Sequence, residues 1–396
     1  MDQPGRDQLN RASRQGRQRP SGAGRVLLVV DALSGGGAEQ HVVDLARGLE
    51  EEGWQVELAC SAVGCSRSRL GGWAVPVHEL VGRLVKRRFS LTYARRLRRL
   101  VRSGRYDLVH AHVYASEAAA ALAVVGRAVP LVVTDHTEAP WRGPLARRVS
   151  RLVYHRAAAV IAVSTAIAEL LEHQYGIDPG RVRRVIPVGR RSGTTLSATP
   201  RPPDLPAGPL VGCVGRLEPE KGVDILLRAF HQVRLTVPQA SLLVVGGGGQ
   251  SEALRRLADG LQIGARTHFL GHREDALDLL RWLDVLVVPS RSDGSPLVIH
   301  EAQEVGTPVI GSAVGGIPDR LAEGSAGLLV PPGDHQSLAE ALTDVLTDPA
   351  RRADLARAGR CNASRHSYRA MVAAVSALYA EVVSLKASDD VVPWPG

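Results

Sequence analysis

Short, mostly apolar runs recur along the chain, most followed by a small or polar loop and then by a stretch with helical spacing. In the first half these runs are Arg25 to Asp31 (RVLLVVD), Gln55 to Cys60, Val75 to Leu80, Asp107 to Ala111, Leu131 to Thr134, Val160 to Ser164 and Val182 to Val188. A run that is apolar without alternation reads as a strand buried on both faces. Helical spacing follows at about Glu39 to Glu51 and Leu91 to Arg102. The pattern stops at 190–209, RRSGTTLSATPRPPDLPAGP, where Pro, Ser, Thr and Gly dominate. It then restarts with Leu210 to Gly215, Leu242 to Val245, His268 to Leu270, Val285 to Val288, Pro308 to Gly311 and Leu328 to Val330. Helices are expected at about Val223 to Val233, His335 to Leu346, Arg351 to Ala358 and Tyr368 to Ser384.

Strands alternating with helices predict a parallel sheet covered on both faces. The fold class is therefore α/β, with two doubly wound, Rossmann-like halves. The first spans 25–196, a linker spans 197–209, and the second spans 210–365, with a last helix and a polar tail over 366–396. A ligand of such a chain is expected at the carboxyl ends of the strands, in the cleft between the halves.

Composition alters this picture little. At 396 residues, 44% apolar and 22% charged, the chain has the make-up of a soluble protein with two cores. Residues 1–24, rich in Arg, Gln, Gly, Pro and Ser, are expected to be a disordered basic tail. The N-terminus has no apolar core of a signal peptide, and no apolar run approaches the ~18 residues that span a bilayer. Cys60, Cys65, Cys213 and Cys361 are scattered without a CxxC spacing, as suits a reducing compartment. A cytoplasmic protein is expected, with attachment to the inner face of a membrane as an option.

Charge is distributed unevenly. Residues 25–196 carry 25 Lys/Arg against 15 Asp/Glu, whereas residues 197–396 carry 19 against 23. An acidic partner or anionic surface would face the first half. The segment Arg83 to Arg105 concentrates this excess, with ten Lys/Arg and no acid. Within it Leu91, Ala94, Leu97 and Val101 form one stripe, with Arg95, Arg98, Arg99 and Arg102 off it. Such a helix can lie on an anionic membrane, or can bury its stripe in the core and leave its arginines in water. Nucleic acid is not an expected partner, because aromatics make up only 4% and no reading motif is present.

Several loops carry candidate chemistry. Ser34-Gly35-Gly36-Gly37-Ala38 lies between a strand and a helix, where glycine allows close approach and the helix start favours anions. An ordinary tight turn explains that loop equally well. His110 and His112 end one strand, and His136 follows another beside Asp135. Arg216 and Lys221 flank a strand-end loop and could neutralise a diphosphate, Arg as a planar fork and Lys as a point charge. Gly246 to Gly249 is a second close-approach turn, but no GxxxxGK[ST] is present. The most informative run is Pro289 to Asp319, PSRSDGSPLVIHEAQEVGTPVIGSAVGGIPD. Here Asp293 precedes a helix that Pro296 opens, and Glu301 lies inside it, eight residues on. A carboxylate there does not bind phosphate; a bidentate bond to a sugar diol suits it. A plain strand–loop–helix unit with a solvated Glu fits the isolated spacing too.

Together and in order, GGGAE (Gly35 to Glu39), HAH (His110 to His112), Asp135-His136, VGRLEPEKG (Val214 to Gly222) and the acid pair Asp293 and Glu301 resemble glycosyltransferase family 4, the retaining GT-B enzymes or glycosyl transferases group 1. The resemblance covers 25–385. It implies a hexosyl or N-acetylhexosaminyl transfer from a nucleoside diphosphate sugar, with UDP the default, for bacterial glycan, glycolipid or secondary-metabolite synthesis. It implies that Arg216 and Lys221 bind the diphosphate and Glu301 the ribose. Asp293 would touch the donor sugar, backbone N–H groups at Ser295 to Val298 would cap the phosphate, and Gly294, Ser295, Pro296, Leu297 and Val298 would all belong to the donor site. Gly36, Gly37, Gly246 and Gly247 would approach the donor, and His136 the reacting centre. His110 and His112 would lie on the acceptor side, in an acceptor-binding first domain. The last helix would cross back to that domain.

Two positions depart from the family pattern. The first acid is usually Glu and is Asp293 here; the usual Asn-Gly-Val-Asp near the hinge reads Val188-Gly189-Arg190-Arg191. No DxD occurs, so neither metal nor other cofactor is expected to hold the diphosphate. Rival expectations are a nucleotide-sugar epimerase, which needs no acceptor, and a sugar-nucleotide-binding protein without turnover. The acceptor is not legible.

Overall fold

The computed structural model describes residues 24–387 except 35, 65–74, 86–88, 138, 140, 179–182, 190–200, 204 and 274. The expected disordered tail, Gly35, Cys65, residues 86–88 of the basic run, the Arg190-Arg191 departure and residues 197–200 and 204 of the linker lie outside these residues.

Both halves are parallel sheets between helices. The first sheet holds β1 (Arg25–Val30), β2 (Gln55–Cys60), β3 (Val77–Glu79), β4 (Leu108–His112), β5 (Leu131–Asp135), β6 (Ala159–Ala162) and β7 (Arg183–Val185), in the order β3-β2-β1-β4-β5-β6-β7. The second holds β8 (Leu210–Val214), β9 (Ser241–Val245), β10 (Thr267–Gly271), β11 (Val285–Val288), β12 (Val309–Ser312) and β13 (Leu328–Val330), in the order β10-β9-β8-β11-β12-β13. In each the order reverses beside the first strand, β1 or β8, which is where an open α/β sheet forms its crevice. The two crevices face each other.

Among the described residues, five helices lie within the first half: α1 (Gly37–Glu51), α2 (Leu91–Gly104), α3 (Tyr114–Val124), α4 (Pro144–Arg156) and α5 (Thr165–Tyr175). The second half carries α6 (Val223–Thr236), α7 (Ser251–Gly260), α8 (Ala276–Leu280), α9 (Leu297–Val305), α10 (Ile317–Arg320), α11 (His335–Thr347) and α12 (Pro349–Arg365). Wholly apolar strands pack on both faces, which is why Leu27 and Val29 enter one core while Val26, Leu28 and Val30 enter another.

The last helix, α13 (Tyr368–Ala387), belongs to the first half by packing. Its Met371, Val372, Val375, Leu378, Tyr379 and Val382 join the core of β1, β2 and α1. Trp54 Nε1 donates to Ser376 Oγ at 2.9 Å, and Tyr368 OH donates to the Asp44 carbonyl at 2.9 Å. Contrary to the expectation that no apolar run approaches spanning length, the run Pro349–Leu385 is long and apolar enough by length and composition to cross a membrane. The burial of α13 against the first domain accounts for its apolar face.

The basic helix α2 turns its stripe inward, with one correction. Tyr93, Ala94, Leu97 and Val101 are buried, but Leu91 is exposed at its start, beside exposed Leu84 and Phe89. Tyr93 replaces Leu91 on the buried face because its hydroxyl reaches the Val30 carbonyl at 3.0 Å.

Candidate functional site

A cleft of about 1060 Å³ opens between the two sheets. Gly36, Gly37, Val113, Tyr114, His136, Trp141 and Arg142 line it from the first half. The second half contributes Gly215, Arg216, Lys221, Gly246, Gly247, His272, Arg273, Asp293, Gly294, Ser295, Pro296, Leu297, Val298 and Glu301. Every residue that sequence placed around a donor or at the reacting centre thus lines one cavity.

The donor-side wall is built from two strand-end loops. The loop after β8 turns through Pro219–Lys221 and presents Arg216 and Lys221. Lys221 Nζ stands 2.5 Å from Asp293 Oδ2, on the loop after β11. Arg216 pairs at 3.0 Å with Glu220 and remains more than half exposed. Arg291 ties the loops together. It donates to both carboxylate oxygens of Asp224 at 2.7 and 2.8 Å, and to the Pro219 carbonyl at 2.9 Å. The bidentate pair holds the Asp224 carboxyl below its ordinary range. Nothing in the local sequence marks Arg291, because its partner is 67 residues away.

Behind Asp293, α9 begins. Pro296 is its N-cap residue, one position earlier than a helix-opening proline, and no side chain caps it. The first amides of the helix therefore face the cleft without intrahelical partners. Glu301, one turn further in, is 8% exposed and reaches the cavity from the side of this helix. Ser295 is held by Arg320, whose Nε donates to its Oγ at 2.8 Å and whose other nitrogen donates to the Val188 carbonyl. Arg320 is buried, and burial lowers its guanidinium to about 10. It joins the donor loop to the hinge of the first domain, and sequence alone gives no sign of it.

The two walls touch at Gly294. A Cβ there would overlap the His136 carbonyl oxygen, so only glycine lets the loops close this far. Gly37 and Leu297 also approach across the cleft; a Cβ on the glycine would lie 3.9 Å from the leucine methyl. On the first-domain side Glu39, in α1, holds the glycine loop. It accepts from Gly36 N at 3.1 Å, from Ser34 Oγ at 3.1 Å and from Ser34 N.

His136 follows β5 and is anchored from beneath. Asp135 accepts from Arg142 at 2.9 Å and from Tyr154 OH at 2.6 Å. Arg142, 1% exposed, also faces Glu117 at 3.7 Å. Burial disfavours the guanidinium charge, but the Asp135 carboxylate more than offsets it and holds Arg142 charged. Burial conversely drives the Glu117 carboxyl upward. Burial also holds the His136 imidazole down, at about 4, so it meets a ligand as a neutral ring.

The two histidines assigned to the acceptor side are not at the cleft surface. His110 is fully buried, with Nδ1 2.6 Å from Tyr379 OH and Nε2 2.7 Å from Thr134 Oγ1. Both ring nitrogens are used in fixing α13 to β4 and β5, so the strand-end position reflects packing. His112 is also fully buried, its Nδ1 3.1 Å from His136 Nε2. His41, on the buried face of α1, joins them, and its spacing within an apolar helix gives no distinguishing signal.

Comparison with known proteins agrees with this geometry. The family model described as Glycosyltransferase Family 4 matches residues 35–189, and Glycosyl transferases group 1 matches 203–361. A D-inositol 3-phosphate glycosyltransferase of Rhodococcus jostii is 35% identical over 288 residues, covering 67% of this chain and 63% of the relative. The chain thus spans less than two thirds of that relative's length. The Corynebacterium efficiens protein of the same name is 33% identical, covering 70% of this chain and 72% of the relative. Among solved structures, HepE of Anabaena in complex with UDP aligns with a TM-score of 0.74 at 25% identity, over 91% of this chain and 99% of that one. Sucrose-phosphate synthase of Thermosynechococcus elongatus aligns with a TM-score of 0.75 at 25% identity, over the same shares.

Proposed function

The chain belongs to the family 4, group 1 glycosyltransferases with the GT-B fold, and from that membership we propose that it transfers a sugar from a UDP-sugar to an acceptor hydroxyl, with retention at the anomeric carbon. The observation that carries this reading is one cleft in which Arg216, Lys221 and the start of α9 face His136 across a contact that only Gly294 allows.

In this account Lys221 and Arg216 stabilise the charge that develops on the departing diphosphate, assisted by the first amides of α9. Electrostatic stabilisation of this kind is commonly the largest catalytic contribution. Glu301, partly withdrawn from water, accepts from the ribose hydroxyls. Asp293 orients the donor sugar while sharing Lys221. His136, neutral and backed by Asp135, contacts the sugar near the bond that breaks. No protein nucleophile is assigned; the acceptor attacks from the face that the leaving group departs, and a diphosphate oxygen takes its proton. The cations stand where a metal would otherwise be needed, so transfer proceeds without one. Approach of the two walls excludes water and so suppresses hydrolysis.

UDP as the nucleotide is supported by the UDP-bound state of HepE. A phosphate-bearing acceptor is supported by the names of the curated relatives and by the basic first domain. A setting at the inner face of a membrane is part of the same reading, supported by exposed Leu84, Phe89 and Leu91 beside the arginines of α2.

A thermal-shift screen across uridine, guanosine and adenosine diphosphate sugars tests the donor. A UDP-sugar should give the largest stabilisation; preference for another base would overturn that part. Incubation with donor alone distinguishes transfer from its rival, since an isomerised sugar without acceptor would identify an epimerase.

A further inference from the structure

His41, His112 and His136 converge at the edge of the cleft although they come from α1, β4 and the loop after β5. Each offers a ring nitrogen, and the three atoms lie within 4.8 Å of one another. The ring centroids are separated by 5.5 Å (His41–His112), 5.1 Å (His41–His136) and 5.4 Å (His112–His136). Three imidazoles on a tetrahedral ion, with metal–nitrogen bonds of about 2.1 Å, have centroids about 5.2 Å apart. One nitrogen pair, His112 Nδ1 and His136 Nε2, already stands at 3.1 Å, close to the roughly 3.4 Å between two ligand atoms on such an ion. A further nitrogen of the cluster, His41 Nδ1, is buried without a hydrogen-bond partner. A buried polar atom in that state is costly and is explained when something meets it.

We propose that His41, His112 and His136 form a binding site for a transition-metal dication of the zinc type at the first-domain wall of the cleft. The ligand set is nitrogen only, which suits Zn²⁺, Co²⁺, Ni²⁺ or Cu²⁺ and does not suit Mg²⁺ or Ca²⁺. Two neighbouring charges act on it in opposite directions. Asp135, beside His136, favours a cation, and Arg320, whose charge reaches His41, opposes one. His136 alone of the three lines the cleft, so the fourth coordination position opens there, to water or to a donor oxygen. An ion at that position occupies the ring that faces the reacting centre and closes the cleft to transfer. This last consequence rests on the proposed function; metal binding itself does not.

The test uses untagged full-length protein, cleared of metal with a chelator and titrated with Co²⁺. The expected result is one Co²⁺ per chain with the intense visible bands of a tetrahedral site, displaced by Zn²⁺ and indifferent to Mg²⁺. His41→Gln and His112→Gln should each weaken binding by tenfold or more while keeping the circular dichroism spectrum. His173→Ala, on the exposed face of α5, should leave the bands unchanged. Absence of tetrahedral bands in the wild-type protein, or equal binding by the folded His41→Gln and His112→Gln proteins, would overturn the site. Should either variant fail to fold, chemical modification of the wild-type histidines decides: Zn²⁺ must protect them from diethyl pyrocarbonate. If Co²⁺ binds but Zn²⁺ leaves transfer unaffected, the site stands and the placement of His136 at the reacting centre fails.

Discussion

Lys221 Nζ lies 2.5 Å from Asp293 Oδ2, so the cation proposed to meet the diphosphate is already held by the acid proposed to meet the sugar. The pair couples two functions. Lys221 can shift toward a diphosphate only by sharing Asp293, and Asp293 can turn toward a sugar only as Lys221 releases it. Asp is one methylene shorter than the acid usual in the family.

Asp293→Glu tests that coupling. The longer side chain reaches further into the cleft, so the ranking of UDP-sugars should change by about tenfold for at least one pair, equivalent to about 1.4 kcal/mol. Competition between two donors in one reaction measures the ratio directly. An unchanged ranking with a uniformly lower rate would mean that Asp293 does not contact the sugar.

Arg142 is predicted to matter for stability more than its distance from the donor wall suggests. Arg142→Met leaves Asp135 buried without its cation, and such a loss costs about 3–5 kcal/mol. Urea denaturation checks it. Arg142→Lys should recover only part, because an ammonium does not reach Asp135, Tyr154 and Tyr175 together.

Glu57 predicts an acid-sensitive edge in the first domain. Burial favours its neutral form, but hydrogen bonds from His78, Arg25 and Tyr106 outweigh burial and hold its carboxyl at about 2. A carboxylate lowered in the folded state stabilises above its unfolded value, 4.5, and loses that contribution as pH falls toward about 2. The shift corresponds to on the order of 3 kcal/mol. Unfolding free energy measured from pH 6 downward should fall less steeply in Glu57→Gln than in the wild type.

The exposed apolar residues beside α2 predict membrane contact. Leu84, Phe89 and Leu91 are 58%, 48% and 49% exposed, next to arginines directed to solvent. The chain should float with vesicles containing anionic lipid and not with neutral ones. The triple change to serine should lower vesicle affinity by at least about a hundredfold and so abolish flotation, since each buried large side chain contributes about 1.5–3 kcal/mol.

The strands were legible because a parallel sheet buried on both faces leaves its mark as unbroken apolar runs; their observed limits differ from expectation by one or two residues in most cases. Arg216, Lys221 and Asp293 lie in short loops at strand ends and Glu301 in the helix that follows, so their places were legible and all four line one cavity, whereas local spacing left their roles open and the family resemblance suggested them. What escaped was long-range. Arg291, Arg320 and His41 gain their roles from partners on other elements, and no local pattern records such pairing. His110 misled for the same reason: its strand-end position suggested a ligand, whereas Tyr379, far along the chain, claims its ring. Leu91 fell on the helical stripe by spacing, but the hydroxyl of Tyr93 fixed the rotation of α2.

The central claim is that Arg216 and Lys221 carry the charge of a departing diphosphate. It is tested most directly by the turnover of Lys221→Ala with a UDP-sugar and acceptor, on protein shown by circular dichroism to be folded. The account predicts a fall in kcat of about 100-fold, equivalent to ~3 kcal/mol of lost transition-state stabilisation. Turnover by the folded variant at the wild-type rate would contradict it.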